Sequence, residues 1–333
     1  MRMNPRKITV LALGLVLLLT AAACGGGRDG DDEASGTTTE VAADGDRLSG
    51  RIEADGSSTV GPFTTAAAER FAGVQPDVQV TVGISGTGGG FERFCAGETD
   101  ISNASRPIKD EEKAICEQNG IDYVELHAVN DGLAVVVNPD NDWATCLTVE
   151  ELNTIWRAEA EGKIENWNQV RADFPDERIL LAGAGTDSGT FDYFTEEING
   201  DTGAIRADYQ ASEDDNVTVQ AVSGSRGGMG FFGLSYVEEN EGEVKAIEVD
   251  GGDGCVAPST ETVQDGSYSP LGRPLFLYAK VESFGRPEVQ EFMSFVLENN
   301  AEIAEAALFV PLTDEQLETA QAGFDAALAE VGA

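Results

Sequence analysis

Apolar and polar residues alternate with a period of two along Val78-Gln79-Val80-Thr81-Val82, as expected of a strand with one buried face. The run Leu133-Ala134-Val135-Val136-Val137 is apolar throughout, as a strand covered on both faces should be. Residues 51–54, 123–129, 178–182 and 275–278 predict further strands. Between these segments the period lengthens to that of a helix. Val289, Phe292, Met293, Val296 and Leu297 fall on one face of a helix predicted over residues 287–308. Thr148-Val149-Glu150-Glu151 is a capping box opening a helix toward Trp156, and Thr313-Asp314-Glu315-Gln316 opens the last helix. Strands alternating with helices predict α/β lobes with largely parallel sheets. Such sheets bind ligands beyond the carboxyl ends of their strands.

Three runs of glycine and hydroxyl residues sit at these strand-to-helix junctions. They are Gly56-Ser57-Ser58-Thr59, Ser85-Gly86-Thr87-Gly88-Gly89-Gly90 and Thr186-Asp187-Ser188-Gly189-Thr190. A helix start leaves about four N–H groups unpaired and carries roughly half a positive charge. Small residues there let an anion reach the backbone, and hydroxyls add donors without net charge. The competing reading of Ser58 and Thr59 is ordinary N-capping, worth about 1 kcal/mol. Three successive glycines before Phe91 suggest close backbone approach rather than a plain turn. Asp100-Ile101-Ser102-Asn103-Ala104-Ser105-Arg106-Pro107-Ile108 adds a guanidinium able to grip a tetrahedral anion with two donors, the alternative being a surface ion pair. Ser223-Gly224-Ser225-Arg226-Gly227-Gly228 is a weaker candidate of the same type. A rival from the enzyme class reads Ser188 as a nucleophile, with His127 and Asp142 preceding it in the order of a trypsin-like triad. Against it, the α/β alternation does not suit that all-β fold.

Charge narrows the ligand class. Of 333 residues, 21 are basic and 60 acidic, a formal charge of −39, which excludes a nucleic-acid partner because phosphate neutralisation needs Lys and Arg. An anion site in such a chain must work through short-range dipoles, with the exterior screened beyond about 8–10 Å at moderate salt. At the N-terminus, Arg2, Arg6 and Lys7 precede an apolar stretch over residues 8–19 and then Thr20-Ala21-Ala22-Ala23-Cys24. This reads as a secretory signal, residues 1–23, too short for a membrane span of about 20 apolar residues. Cys24 after small residues is similar to a bacterial lipobox cysteine, the lipidated first residue of a mature lipoprotein. Residues 24–47 are polar and read as a flexible tether. Cys95, Cys116, Cys146 and Cys255 remain, an even set in an oxidising compartment with three pairings open. With no C-x-x-C spacing and His127 the sole histidine, neither a metal site nor a cofactor is expected.

The chain resembles the PstS family, the phosphate-binding receptors of bacterial phosphate ABC transporters. The resemblance rests on residues 55–62, 83–91, 100–108, 185–191 and 269–275 in this order, and spans roughly residue 48 to the C-terminus. It implies a two-lobed α/β clamshell of the type II periplasmic-binding-protein kind, joined by two crossover strands near residues 133–137 and 270–275. Lobe I would comprise residues 48–134 plus 270–333 and lobe II residues 135–269. Cys95–Cys116 and Cys146–Cys255 would then each lie within one lobe. The resemblance implies phosphate binding by Ser58, Thr59, Ser85, Thr87, Ser105, Arg106, Ser188, Gly189 and Thr190. It also implies delivery to permease subunits by an extracytoplasmic, lipid-anchored monomer that catalyses nothing. Two departures stand out. Some members have an Asp where Ser105 stands, accepting the proton of hydrogen phosphate, and Asp187 is a substitute acceptor here. Those members also take an Arg from the position of Ala184, leaving Arg106 to supply the charge. A receptor for sulfate or molybdate is the alternative within the binding class.

Overall fold

The computed structural model describes residues 47–332, apart from Asp187, Glu241 and the side chains of Glu238 and Glu239. The expected signal, Cys24, residues 24–46 of the tether and the acceptor Asp187 therefore lie outside the described residues. In chain order the strands are β1 (Gly50–Gly56), β2 (Val78–Ile84), β3 (Ile101–Ala104), β4 (Tyr123–Val137), β5 (Cys146–Thr148) and β6 (Leu180–Ala184). β7 (Gln210–Ser212), β8 (Gly228–Gly233), β9 (Lys245–Ala246), β10 (Glu248–Asp250), β11 (Cys255–Val256) and β12 (Gly272–Lys280) follow. The helices are α1 (Gly61–Phe71), α2 (Gly86–Cys95), α3 (Asp110–Asn119), α4 (Val149–Trp156), α5 (Gly189–Asn199) and α6 (Asp215–Ser223). α7 (Leu234–Glu239), α8 (Thr260–Gln264), α9 (Pro287–Glu298), α10 (Asn300–Ala306) and α11 (Asp314–Val331) complete the set.

The main sheet runs β2-β1-β3-β12-β4-β8-β6-β7, with β9 also on β4. The trios β2-β1-β3 and β8-β6-β7 are each parallel. Between them β12 and β4 are antiparallel to each other and to their outer neighbours, so the sheets are less uniformly parallel than the alternation predicts. Each trio carries its own core. Phe71 packs edge-on to Phe292 at 5.3 Å on one side. On the other, Phe231 stacks on Phe194 at 3.9 Å and meets Trp156 edge-on at 5.1 Å. Such rings dominate core energetics. The chain thus forms two α/β lobes that share β4 and β12 as crossovers. Cys95 is bonded to Cys116 and Cys146 to Cys255.

Two expectations are corrected. Residues 123–129 and 133–137 form one strand, not two. Asn130-Asp131-Gly132 resembles a turn, yet it pairs with Pro274, Arg273 and Gly272 of β12. A side chain at Gly132 would meet Val263 at 2.8 Å, so the glycine serves close packing rather than a turn. The helix predicted over 287–308 breaks into α9 and α10. Asn300, buried at the junction, donates to Ala128 O at 2.6 Å and accepts from Leu312 N at 3.2 Å, while Asn299 Nδ2 returns to Phe295 O. Asparagine side chains that bind backbone groups in this way compete with the helix ladder.

Candidate functional site

The first two clusters meet residues 105 and 106 at one cleft of about 330 Å³ beyond the carboxyl ends of β1, β2 and β3. β1 ends at Gly56, Ser57 turns the chain, and Ser58 and Thr59 line the cleft just before α1. Ser57 Oγ accepts from the amide of Thr59 at 3.2 Å, which fixes the turn. The entry of α1 has no side-chain cap; its first amide, Gly61 N, donates to Ser57 O at 3.0 Å, and Pro62 at the next position has no N–H to satisfy.

α2 is uncapped for a more specific reason. Ser85 holds the capping position, but both its amide and its hydroxyl donate to Asp55 Oδ1, at 3.0 and 2.8 Å. Asp55, almost wholly buried, is also gripped by Arg93 from the far end of α2. The hydroxyl is thus diverted, and the first turn of α2 presents bare N–H groups where Gly86, Thr87 and Gly88 line the cleft. Gly86 has φ +77°, a region only glycine enters freely, and no atom lies within 4 Å of where a side chain would stand at Gly88. At Gly90 a Cβ would sit 2.5 Å from Gly56 Cα, so the α2–β1 contact requires glycine there. The successive glycines therefore divide their work between ligand access and packing.

Ser105 and Arg106 follow β3 and line the same cleft. Ser105 Oγ and Thr87 Oγ1 are hydrogen-bonded at 2.9 Å. Arg106 is not a free cation. Its Nη1 and Nη2 donate to the two oxygens of Glu112 at 2.9 and 2.8 Å, and Nη1 also to Pro107 O at 3.1 Å. Burial pushes the Glu112 carboxyl up, but the Arg106 fork and the Lys109 amide outweigh it, so it titrates below its usual range. Those same bonds hold the Arg106 guanidinium above its own.

The other wall is α5. Ser188 caps it, accepting from the Thr190 amide at 3.2 Å, so the Ser188 hydroxyl and Thr190 N–H serve the helix start. Neither residue is among those lining the cleft, nor is Ser85. Gly189 abuts the first cluster: a Cβ there would lie 2.7 Å from Thr59 Cα, and Thr59 Oγ1 donates to Gly189 O at 3.4 Å. Asp192, Tyr193, Glu196 and Glu197 complete the wall. Ser58 Oγ donates across the cleft to Asp192 Oδ2 at 3.0 Å.

Sequence reasoning missed Arg273. It enters the cleft from β12, stacks on Tyr193 with 3.3 Å from guanidinium carbon to ring centroid, and donates to Thr59 Oγ1 at 3.3 Å. Directly opposite in the β4 ladder, Asp131 accepts from its Nε at 3.4 Å. Burial pushes the Asp131 carboxyl above its ordinary value, with Arg273 opposing. Burial also raises Glu197, against Arg273 and aided by Glu196. The available signals were an arginine leading an otherwise apolar strand, and the helical spacing of 192, 193, 196 and 197 beyond the third cluster. The other candidates do not converge here. Arg226 stacks on Trp143 and pairs with Asp142 at 3.3 Å, while His127 of β4 packs against Phe276 of β12.

What the cleft can do chemically is bind a small anion with the bare start of α2, hydroxyls and two paired guanidinia. Its carboxylates would accept a proton carried by that anion. Residues 33–300 match the family model described as a PBP superfamily domain. Protein SphX of Synechococcus elongatus is 48% identical over 78% of this chain and 77% of its own length. The phosphate-binding protein PstS of Staphylococcus saprophyticus is 41% identical over 85% of this chain and 87% of its own. A solved structure of a possible phosphate binding protein from Planctomyces limnophilus superposes with a TM-score of 0.80 at 47% identity, covering 84% of this chain and 99% of that one. The chain belongs to the PstS family of the PBP superfamily.

Proposed function

We propose that this protein captures inorganic phosphate outside the cytoplasm and delivers it to the permease of a phosphate ABC importer, without making or breaking a bond. The observation that carries the reading is the convergence of the uncapped start of α2 with Arg273 and Arg106 on one small cleft. Hydrogen bonds to a charged group contribute about 1.5–3 kcal/mol each. Several of them, discounted for lobe closure and lost ligand freedom, reach the roughly −8 kcal/mol of micromolar binding. The ligand set we assign is Ser58, Thr59, Thr87, Ser105, Arg106 and Arg273, with Gly189 closing from residues 135–269 onto the lobe of residues 48–134 and 270–333. Asp192 and Glu197 favour hydrogen phosphate over sulfate, because fully ionised sulfate offers them no proton and meets only repulsion. Ser188 is engaged as a helix cap, which supports a receptor rather than a hydrolase.

The protein acts as a monomer, anchored through a lipid on Cys24. Among the described residues no helix is long and apolar enough to cross a membrane. Isothermal titration with phosphate, arsenate and sulfate tests the reading. Micromolar or tighter phosphate binding, competition by arsenate and no heat from sulfate are expected. Arg106→Ala should weaken phosphate at least about tenfold, or 1.4 kcal/mol. Absence of phosphate binding, or sulfate binding as tightly, defeats the assignment. Retention of Cys24→Ala protein on membranes would defeat the anchor.

A further inference from the structure

Arg106 is held from two sides, by Glu112 of α3 through the fork of two hydrogen bonds and by Phe91 of α2, whose ring centroid lies 5.7 Å from its guanidinium carbon. Each of these residues lies four positions, one helical turn, before a half of the same cystine: Phe91 before Cys95, and Glu112 before Cys116. Residues four apart share a helix face, so the cystine and the two Arg106 contacts lie along one seam between α2 and α3.

α3 has little else to hold it. Of its ten residues only Cys116 is buried, and Ile115 is 45% exposed. Its first turn is Asp110, Glu111 and Glu112, and its C-cap is Gly120. One hydrogen bond accompanies the cystine, from Asn119 Nδ2 to Cys95 O at 2.8 Å. A polar helix with one buried side chain cannot dock by apolar burial. Its covalent attachment supplies what burial does not.

The fork to Glu112 uses one N–H of each terminal nitrogen of Arg106, and Pro107 O takes the other hydrogen of Nη1. Nε–H and the second Nη2–H have no protein partner among the described residues. These two donors form one edge of the planar guanidinium, suited to two oxygens of a tetrahedral anion. Glu112 and Phe91 together fix which way that edge faces.

We propose that the Cys95–Cys116 cystine is a positioning element of the anion site: by pinning α3 to α2 it keeps Glu112 and Phe91 around Arg106 and presents the free guanidinium edge to the ligand. This rests on the phosphate-binding reading given above. Neither cysteine touches the ligand, and the cystine acts only through Arg106. Cys146–Cys255, between β5 and β11 and bonded to none of the residues lining the cleft, serves as the internal control.

The test is phosphate titration of the purified full chain, well below its unfolding temperature, in a double-mutant cycle. C95A/C116A is expected to weaken phosphate about tenfold, equivalent to 1.4 kcal/mol, whereas C146A/C255A lowers thermal stability and leaves affinity unchanged. In an Arg106→Gln background, already weakened, loss of the first cystine should change affinity by less than about twofold, because the group it positions is gone. C95S/C116V provides a second replacement pair should the alanine pair fail to fold. Equal affinity in wild type and C95A/C116A overturns this inference alone, as does a full tenfold loss that persists in the Arg106→Gln background. Wild-type protein that binds no phosphate overturns the site reading along with it.

Discussion

Arg273→Gln removes the cation that faces Asp131 while keeping most of the side-chain bulk. The two charges approach to 3.4 Å and only 13% of each side chain is exposed. At an effective dielectric of about 20 that separation corresponds to roughly 5 kcal/mol of attraction. Unpairing one member of such a buried pair costs about 3–5 kcal/mol, and the residual exposure argues for about 3. Burial already raises the Asp131 carboxyl against the opposition of Arg273, and with Arg273 gone nothing offsets it. A carboxyl raised in the folded state contributes most stability at low pH and loses it as pH rises through the folded-state pKa. The deficit of Arg273→Gln should therefore be larger at pH 7.5 than at pH 5, because acidification moves Asp131 toward the protonated form that needs no cation. Urea unfolding at both pH values measures it, and the double variant D131N/R273Q should recover most of the lost stability. Phosphate affinity should fall at least about tenfold and stay low in the double variant, since the ligand's cation is still missing. A deficit below about 1 kcal/mol, or one that widens on acidification, would refute the reasoning.

Gly189→Ala places a methyl 2.7 Å from Thr59 Cα, so phosphate affinity should drop at least about tenfold while thermal stability of the unliganded protein hardly moves; calorimetry and a melting curve separate the two. Asp215, at the start of α6, is raised to about 6 by burial first and then by Asp214 and Glu213. Asp215→Asn should stabilise the protein at pH 7.5 by about 1 kcal/mol after allowance for its solvent screening, and the gain should vanish below about pH 4, where both folded and unfolded chains carry the proton; equal urea midpoints at pH 7.5 would contradict this. With a formal charge of −39, the exterior opposes an approaching dianion, so the phosphate association rate should rise between 10 and 150 mM salt as the Debye length contracts from about 30 to 8 Å. Stopped-flow measurement showing a rate that falls with salt would mean that the cleft's cations dominate at long range.

Much of this architecture was legible in the order of short patterns. The capping box at Thr148 is present as read, with the Glu151 amide donating to Thr148 Oγ1 at 3.1 Å. The junctions after β1 and β2 reach the cleft because a glycine-hydroxyl run at a strand end feeds a helix start there. What local pattern could not convey was partnership. Residues 123–129 and 133–137 read as separate strands because the ladder partner of Asn130-Asp131-Gly132 lies some 140 positions away in β12, with Asp131 facing Arg273. Arg106 was readable as a free cation because nothing in the run Ser105-Arg106-Pro107 announces Glu112 one turn into the next helix. Ser85 was readable as a ligand for the same reason, since its partner Asp55 stands on the neighbouring strand. The same cause hid the α5 wall: its lining residues follow the third cluster on one helical face, where sequence alone suggests nothing but a solvated acidic surface.

These partnerships explain how a strongly acidic protein keeps an anion site. Arg106 answers to Glu112 and Arg273 to Asp131, so each guanidinium enters the cleft as part of a nearly neutral pair. Two unpaired arginines would be drawn to the surrounding carboxylates and could fold into other ion pairs; a pre-formed partner on the side away from the ligand fixes the donors instead, at the cost of some net attraction. The remaining attraction comes from the uncapped start of α2, whose dipole acts over the first turn and fades quickly with distance. Selectivity follows from the same arrangement. With net charge held low, the proposed site would judge a bound oxyanion by whether each oxygen finds a donor and whether Asp192 and Glu197 find a hydrogen, so its protonation state would matter more than its charge.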